Sequence, residues 1–414
     1  MPARDPYEKL IRFYDGAFGM LPNRDEFKTA VKEALTEEEL QIVLMVPERG
    51  ISYTALEKKA ERAGFTPVRL HAIIDALRPQ GFVAVYERPH GDGIFGQGYG
   101  MLAGLPFTKE KESGEVVVRL GILIITEIQA RRSEDDAMRR AAANWMYTMM
   151  TDAGRSIPTK TPYKRVLAAE EALPEQPASG QVTGDGGARI LVNEPIADTR
   201  TVLPLDMISE MMRKEEVIAV AECYCRHTKA YMGEGCDCPM ETCFYFDEIA
   251  LMQLSTGRAR RIDHNEAMRI LEACEDAGLV HTADNDGDRL GVMCNCCKHA
   301  CPILQSMRFG GVNLGAPSRF VINHDAETCI ACGACAKICP MDALVMGDGG
   351  LTVDQDRCIG CGVCIRKCPT DSLQLVPRED QPRLYKSTGS LNRRIAAEAL
   401  VGLTKERLTR HKEA

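Results

Sequence analysis

The 414-residue chain has no apolar run long enough to cross a bilayer. Its longest, Val116 to Ile125, is broken by Arg119 and falls far short of the roughly 20 residues a spanning helix needs. The leading residues, Met1-Pro-Ala-Arg-Asp-Pro-Tyr-Glu-Lys, put charges where a signal peptide carries its apolar core, so the sequence is read as cytoplasmic. A basic excess is lacking too. With 51 Lys and Arg against 59 Asp and Glu, the net charge of -8 argues against a generally basic nucleic-acid binder, while a local patch stays open. Neither 35 Gly nor 21 Pro is enough for a low-complexity chain. There is no phosphate loop, no glycine fingerprint opening a helix after a strand, and no Ser-His-Asp or Cys-His signature; Gly96-x-Gly98-x-Gly100 has the wrong spacing. Without a flavin or nicotinamide site, two-electron chemistry would fall to a partner. Finally, no cysteine occurs before Cys223.

What is present is 18 Cys in a chain of ordinary globular composition, 45% hydrophobic and 27% charged, long enough for two or three domains. Ten Cys lie between Cys223 and Cys301, and eight between Cys329 and Cys368. In a reducing compartment such thiols are metal ligands or catalytic groups rather than disulfides.

Along the chain, residues 37 to 48 read as a helix capped by Thr36, and Tyr53 to Ala63 and Pro67 to Leu77 as two more separated by Gly64-Phe-Thr, with Thr66 as cap and Pro67 at the first position. Gly81 to Glu87 alternates as a strand, and the Gly-rich stretch from Gly91 to Gly100 reads as a loop or wing tip. This order resembles a winged helix-turn-helix. Ser133 to Ala153, with the single Trp145, is a further helical stretch, and Leu173 to Arg189 has linker composition. Asp206 to Arg213 and Asn265 to Ala277, the latter closed by Gly278, frame the first cysteine group. After Pro377 the tail carries nine Lys and Arg against five Asp and Glu, and Ser390 to Arg410 reads as an amphipathic helix that packs on its own protein.

Cys329-x2-Cys332-x2-Cys335-x3-Cys339-Pro and Cys358-x2-Cys361-x2-Cys364-x3-Cys368-Pro are two copies of one unit, 29 residues apart. They resemble the bacterial ferredoxins that hold two [4Fe-4S] clusters, over residues 319 to 377. Three thiolates on a tight loop reach three irons of a cubane, and the fourth iron needs a thiolate from elsewhere. The resemblance implies that the fourth Cys crosses over, giving Cys329, Cys332, Cys335 and Cys368 to one cluster and Cys358, Cys361, Cys364 and Cys339 to the other. Small residues at Gly333, Ala334, Gly362 and Val363 leave room for backbone N–H groups near the sulfurs, and Pro340 and Pro369 set the chain direction after each crossing ligand. Paired zinc ribbons are the competing reading, but they have no use for the third Cys at x2.

The earlier cysteines form Cys223-x-Cys225, Cys236-x-Cys238 with Cys243, and Cys294-x-Cys296-Cys297-x3-Cys301, with Cys274 alone. These words resemble a Cys-rich module placed before ferredoxin domains in proteins of anaerobic bacteria, where a winged-helix-like segment often leads. In that pattern Cys238 and Cys274 are left over. Cys223, Cys225, Cys236, Cys243, Cys294, Cys296, Cys297 and Cys301 remain as candidate metal ligands for one or two further clusters, for zinc, or for redox-active thiols. The adjacent Cys296 and Cys297 are expected to serve different sites. Cys274 reads as a core residue, His227 and His299 as hydrogen-bonding or surface residues, and Arg226 and Lys298 as charge compensation or solvated surface.

The fold expectation is a multi-domain α+β protein: residues 1–172 a winged-helix-like domain with a helical extension, 173–188 a linker, 189–318 a mostly helical Cys-rich module, 319–377 the ferredoxin domain and 378–414 a basic helical tail. The function expected is an iron-sulfur electron-transfer protein or subunit relaying single electrons between redox partner proteins, a component of an oxidoreductase system with no catalytic acid or base of its own. The alternative is a redox-responsive regulator binding DNA through Thr66 to Arg78, where Arg62, Arg69, His71 and Arg78 are the local cations. Residues 1 to 150 hold 20 Lys and Arg against 22 Asp and Glu, which sets nucleic acid behind a protein partner. A third reading places an unusual catalytic cluster between Cys223 and Cys301.

Overall fold

The computed structural model describes residues 5–18, 24–47, 50–87, 115–120, 160–174, 206–287, 290–309, 314–395, 397–398 and 401. The Gly91 to Gly100 loop, the helical stretch around Trp145, most of the 173–188 linker and residues 402–414 of the tail lie outside them. Helix and strand are mixed in an α+β arrangement. No helix among the described residues is long and apolar enough to cross a membrane.

Five helices, α1 (Pro6–Phe18), α2 (Arg24–Ala34), α3 (Glu37–Met45), α4 (Tyr53–Arg62) and α5 (Pro67–Leu77), open the chain. Three of them begin where local chemistry says they should. Thr36 and Glu39 form a reciprocal capping box on α3, Ser52 accepts from the Ala55 N–H at the start of α4, and Thr66 accepts from the Arg69 N–H at 3.2 Å with Pro67 opening α5. Each cap contributes about 1 kcal/mol by satisfying donors that a helix start leaves orphaned. Leu40, Ile42, Leu56, Leu70, Ile73, Ile74 and Leu77 are buried together. Each such side chain contributes about 1.5–3 kcal/mol through removal from water. Strands β1 (Ile51–Ser52), β2 (Val83–Glu87) and β3 (Val116–Leu120) close this unit as an antiparallel sheet of order β1-β3-β2.

A seven-stranded sheet holds the middle of the molecule: β4 (Lys164–Leu167), β5 (Ile218–Glu222), β6 (Glu241–Phe246), β7 (Arg260–Ile262), β8 (Val280–Asp284), β9 (Val292–Cys296) and β10 (Gly315–Ala316), in the order β10-β4-β8-β9-β6-β5-β7. Only the β10–β4 pair is parallel. The sequence reading ends its first domain at residue 172. Residues 164–167, assigned there to the N-terminal domain, pair with β8 and β10 and belong to the Cys-rich sheet. The Cys-rich segment, expected to be mostly helical, supplies the six strands β5 to β10 among its helices.

Both sheet faces are buried, and the period of two sorts the side chains. Ile218, Val220, Phe244, Phe246 and Met293 pack on one face with Met211, Ala267 and Leu271 from the helices Ile208–Met212 and His264–Asp276. Ala219, Ala221, Cys243 and Tyr245 pack on the other face against Ile249 and Ala250 of the helix Asp247–Ser255. That helix also receives the N-terminal unit: the Tyr86 hydroxyl donates to Glu248 Oε1 at 2.7 Å, and Arg78 donates from Nε and a terminal nitrogen to the Ser255 carbonyl.

The last unit pairs β11 (Phe320–His324) with β14 (Leu373–Pro377), and β12 (Leu344–Gly347) with β13 (Gly350–Val353). It is locked to the middle sheet. The Ala169 N–H donates to the Cys361 carbonyl at 2.9 Å, and Gly278 lies so close to Ile338 that a Cβ there would meet its Cγ1 at 2.7 Å. Beyond it, the helix over 388–395 buries Leu391, Thr388 donates to Asp286 at 3.0 Å, and Glu398 accepts from the Lys160 and Thr161 N–H groups.

Candidate metal centres

The eight C-terminal cysteines sit on two loops of left-handed backbone, with Ala331 at φ 54, Gly333 at φ 71, Gly360 at φ 63 and Gly362 at φ 77. Such residues turn successive N–H groups inward and make an anion-binding nest, which suits a cluster whose sulfurs and thiolates carry negative charge. Glycine is required at 360, where a Cβ would collide with the Phe320 carbonyl oxygen and Ser318 Oγ.

The surroundings of each sulfur show which thiols meet. Burial raises Cys335, and Cys332 and Cys368 are the thiols that add to the effect. Burial pushes Cys361 up to about 12, with Cys339 and Cys358 beside it. It also raises Cys364, helped by Cys361, Cys339 and Cys358, and more weakly by Cys335. Burial alone would raise Cys368, but the Ser372 hydroxyl, 3.2 Å from its sulfur, and nearby N–H groups bring it below the usual thiol range. Cys332 and Cys368 thus act on Cys335, Cys339 acts on Cys361 and Cys364, and Cys335 also acts on Cys364. Cys329 packs in the same core as a partly buried residue. Eight thiols on nests of this kind fit two [4Fe-4S] clusters.

The middle cysteines fall into two groups, separated by strand alternation. Cys243 on β6 and Cys294 on β9 are ladder partners, and Cys296, two residues on, shares the Cys294 face and lies 3.5 Å from Thr282 Oγ1. Cys223 stands at the start of the helix Tyr224–Tyr231 and Cys225 in its first turn, while Cys301 precedes the helix Pro302–Phe309. These six sulfurs form one chain of contacts, Cys225 to Cys223 to Cys243 to Cys294 to Cys296 to Cys301. Within it, Cys223 and Cys294 are held low, chiefly by hydrogen bonds from Cys225 and Cys243, whereas Cys225, Cys243 and Cys296 are raised, chiefly by the thiols they donate to. Six sulfurs strung out in this way cannot all surround one ion, and a multinuclear iron-sulfur centre has the charge and size to serve several of them. Tyr245 points into the same place: burial, then Cys243, Cys294, Cys223 and Cys225, raise its hydroxyl.

Cys297 lies one residue past β9 and packs with Cys274, Leu279 and Ala300, near Cys236 and Cys238. Cys296 packs instead with Val280, Cys301 and the ferredoxin cysteines. The adjacent pair thus faces two different thiol groups. Cys238, left over in the sequence pattern, is hydrogen-bonded to Cys297 and Cys236, and His299 converges on Cys236 and Cys297. A third Cys-x-Cys word matching Cys223-x-Cys225 and Cys294-x-Cys296 was the available signal for Cys238. Cys274 is fully buried beside Cys297 in that core.

Arg226 is not surface charge. It is 1% exposed, donates to the Asn295 carbonyl at 2.9 Å and to Thr242 Oγ1, and lies beside Cys223, Cys243 and Cys297. Burial disfavours its charge, but those sulfurs outweigh burial and raise the guanidinium above its ordinary value. A buried polar chain that the sequence did not reveal continues from there. Asn295 donates to the Thr242 carbonyl, its Oδ1 is 2.5 Å from His281 Nδ1, His281 Nε2 is 2.9 Å from Glu275, and Glu275 pairs with Arg366 at 3.0 Å. Arg366 lies between Cys364 and Cys368, so the chain ties the middle sheet to the ferredoxin loops.

Residues 328–372 match the family model described as a 4Fe-4S dicluster domain. The C-terminal part of the chain is therefore a ferredoxin-type iron-sulfur domain. No curated protein and no solved structure matches the chain.

Proposed function

We propose that the chain is an iron-sulfur electron-transfer protein or subunit that relays single electrons between two redox partner proteins, through the two ferredoxin-type centres and a third centre on the six-thiol group. One observation carries this reading: Cys296 and Cys301, with Cys294 at the margin, share a single apolar core with the ferredoxin cysteines. When bound, each [4Fe-4S] cluster accepts and gives back one electron. The chain's residues hold the centres in one low-dielectric medium, exclude water from the space between them, and supply Arg226 as a buried positive charge. The ligands proposed are Cys329, Cys332, Cys335 and Cys368 for one ferredoxin centre, Cys358, Cys361, Cys364 and Cys339 for the other, and four of the six middle thiols for the third.

The N-terminal unit, read as winged-helix-like, acts here as a cover and docking platform. Tyr224 and Cys225 pack against its core, so it closes the six-thiol group from one side. Three of the four local cations named for the DNA-binding alternative have protein partners: Arg69 pairs with Glu38, His71 lies 3.3 Å from Glu57, and Arg78 donates to the Ser255 carbonyl. We place the domain boundary after the N-terminal unit rather than at 172, and place the protein in the cytoplasm, where its thiols stay reduced.

The experiment is reduction by dithionite of anaerobically purified protein, followed by electron paramagnetic resonance. The proposal expects broadened, magnetically coupled signals from neighbouring reduced centres. Protein that is loaded with iron yet gives only isolated, uncoupled signals contradicts a relay.

A further inference from the structure

The second thiol group differs from the others in kind. The donor atoms of Cys236, Cys297 and His299 all lie within 4.8 Å of one another, and Cys238, beside that set, is hydrogen-bonded to both Cys236 and Cys297. Metal–sulfur bonds of about 2.3 Å at a tetrahedral ion set sulfur–sulfur separations of about 3.8 Å. Ligands of a cubane are each on a different iron and stand much farther apart, as the six-thiol group allows: it is an extended chain of pairwise contacts, and among the described residues only Cys236, Cys297 and His299 bring three donors within 4.8 Å of one another. The group is sized for one ion.

Its chemistry points the same way. Three sulfurs and one imidazole nitrogen make a Cys3His set, which zinc favours in closed structural sites. The Ala300 N–H donates to the Cys297 sulfur at 3.3 Å, and Arg226 bonds to the same sulfur, which is outer support suited to a thiolate rather than a thiol. The two arms, Cys236-x-Cys238 and Cys297-x-His299, come from segments about 60 positions apart in sequence, the loop before β6 and the turn after β9. Neither arm has strand or helix of its own to fix it, so an ion joining them would hold the loops that position Cys223, Cys243, Cys294 and Cys301.

We propose that Cys236, Cys238, Cys297 and His299 bind a single structural zinc ion, separate from the iron-sulfur centres, which clamps the loop before β6 to the turn after β9. The site needs no redox step. The inference goes beyond the electron-transfer reading and does not depend on it.

Zinc, iron and sulfide are measured together on the full chain purified anaerobically, for the wild type and for Cys238→Ser, His299→Ala, His299→Cys and Cys274→Ala, with X-ray absorption at the zinc edge. His299 is exposed, so its replacement does not threaten the core. The expected result is about one zinc per chain, with about three sulfurs near 2.3 Å and one nitrogen near 2.0–2.1 Å. Cys238→Ser and His299→Ala lose zinc to a chelator at least about tenfold more readily, with iron unchanged, while His299→Cys and the neighbouring non-ligand Cys274→Ala retain it. Iron-loaded wild type without zinc overturns the proposal. So does a loss of about four irons in Cys238→Ser, which would assign these donors to a cluster.

Discussion

Cys243 and Cys294 stand directly opposite each other on neighbouring antiparallel strands, two thiols from sequence words 51 positions apart set on one sheet face by register alone. A strand slip of one residue would send one of them to the other face, so the ladder itself assembles the six-thiol group. Cys243→Ser or Cys294→Ser should therefore lower iron and sulfide by about four each per chain and leave the ferredoxin signals intact. Unchanged iron in both variants would exclude this ladder pair from the ligands of the third centre.

Arg226 is the largest fully buried side chain among the described residues and lies beside sulfurs of both middle thiol groups. Arg226→Met leaves thiolates uncompensated and the Asn295 carbonyl unpaired, which should destabilise the fold by about 3–5 kcal/mol. Removing a buried positive charge also makes adding an electron harder, so the midpoint potential of the middle centre should move to more negative values, with Arg226→Lys restoring part of the shift. Redox titration monitored by paramagnetic resonance reads this directly.

The fourth cysteines separate the two ferredoxin centres. Cys335 senses Cys332 and Cys368, whereas Cys361 and Cys364 sense Cys339. Cys368→Ser should alter the signal of the centre that carries Cys329, Cys332 and Cys335, and Cys339→Ser the signal of the other. Mössbauer spectra of the two variants should change in different components; if the same component changes in both, the crossing assignment fails.

Gly360 adopts φ 63, and its α-carbon faces the Phe320 carbonyl and Ser318 Oγ. Gly360→Ala adds a left-handed alanine, costing about 1–2 kcal/mol, and a collision with backbone that cannot move aside. The expected outcome is selective loss of about four irons from the Cys358 loop, measured as iron per chain in folded protein.

Glu398 pins the tail helix to the segment before β4. Burial would raise its carboxyl, but hydrogen bonds from Thr161 and Lys160 lower it below the ordinary 4.5. A depressed folded value means that this contact is fully present above pH 4.5 and is lost as pH falls through the folded pKa. Limited proteolysis should cut the tail faster in that acid window, and Glu398→Gln should cut faster already at neutral pH. An unchanged cleavage rate in Glu398→Gln would show that the contact does not hold the tail.

What was legible in the sequence was local. Thr36, Thr66 and Pro67 announce helix starts within one turn, and the repeated Cys-x2-Cys-x2-Cys-x3-Cys-Pro words carry their own chemistry. The seven-stranded sheet was not legible, because β4 pairs with β8 more than 110 positions later and β5 and β6 are buried on both faces, so neither alternation nor proximity marks them. Arg226, read in the sequence as charge compensation or solvated surface, and His281 become part of a buried polar chain only once β8 and β9 pair. Cys238 and His299 gain a role only when two remote loops meet.

The central claim is that electrons move through centres bound both by the ferredoxin loops and by the six-thiol group. Iron and acid-labile sulfide per chain, measured after strictly anaerobic purification with reduced-state paramagnetic resonance on the same sample, test it most directly. The account predicts about twelve of each, in three reducible [4Fe-4S] centres. About eight of each would contradict the middle centre, and folded, anaerobic protein without iron would contradict the account as a whole.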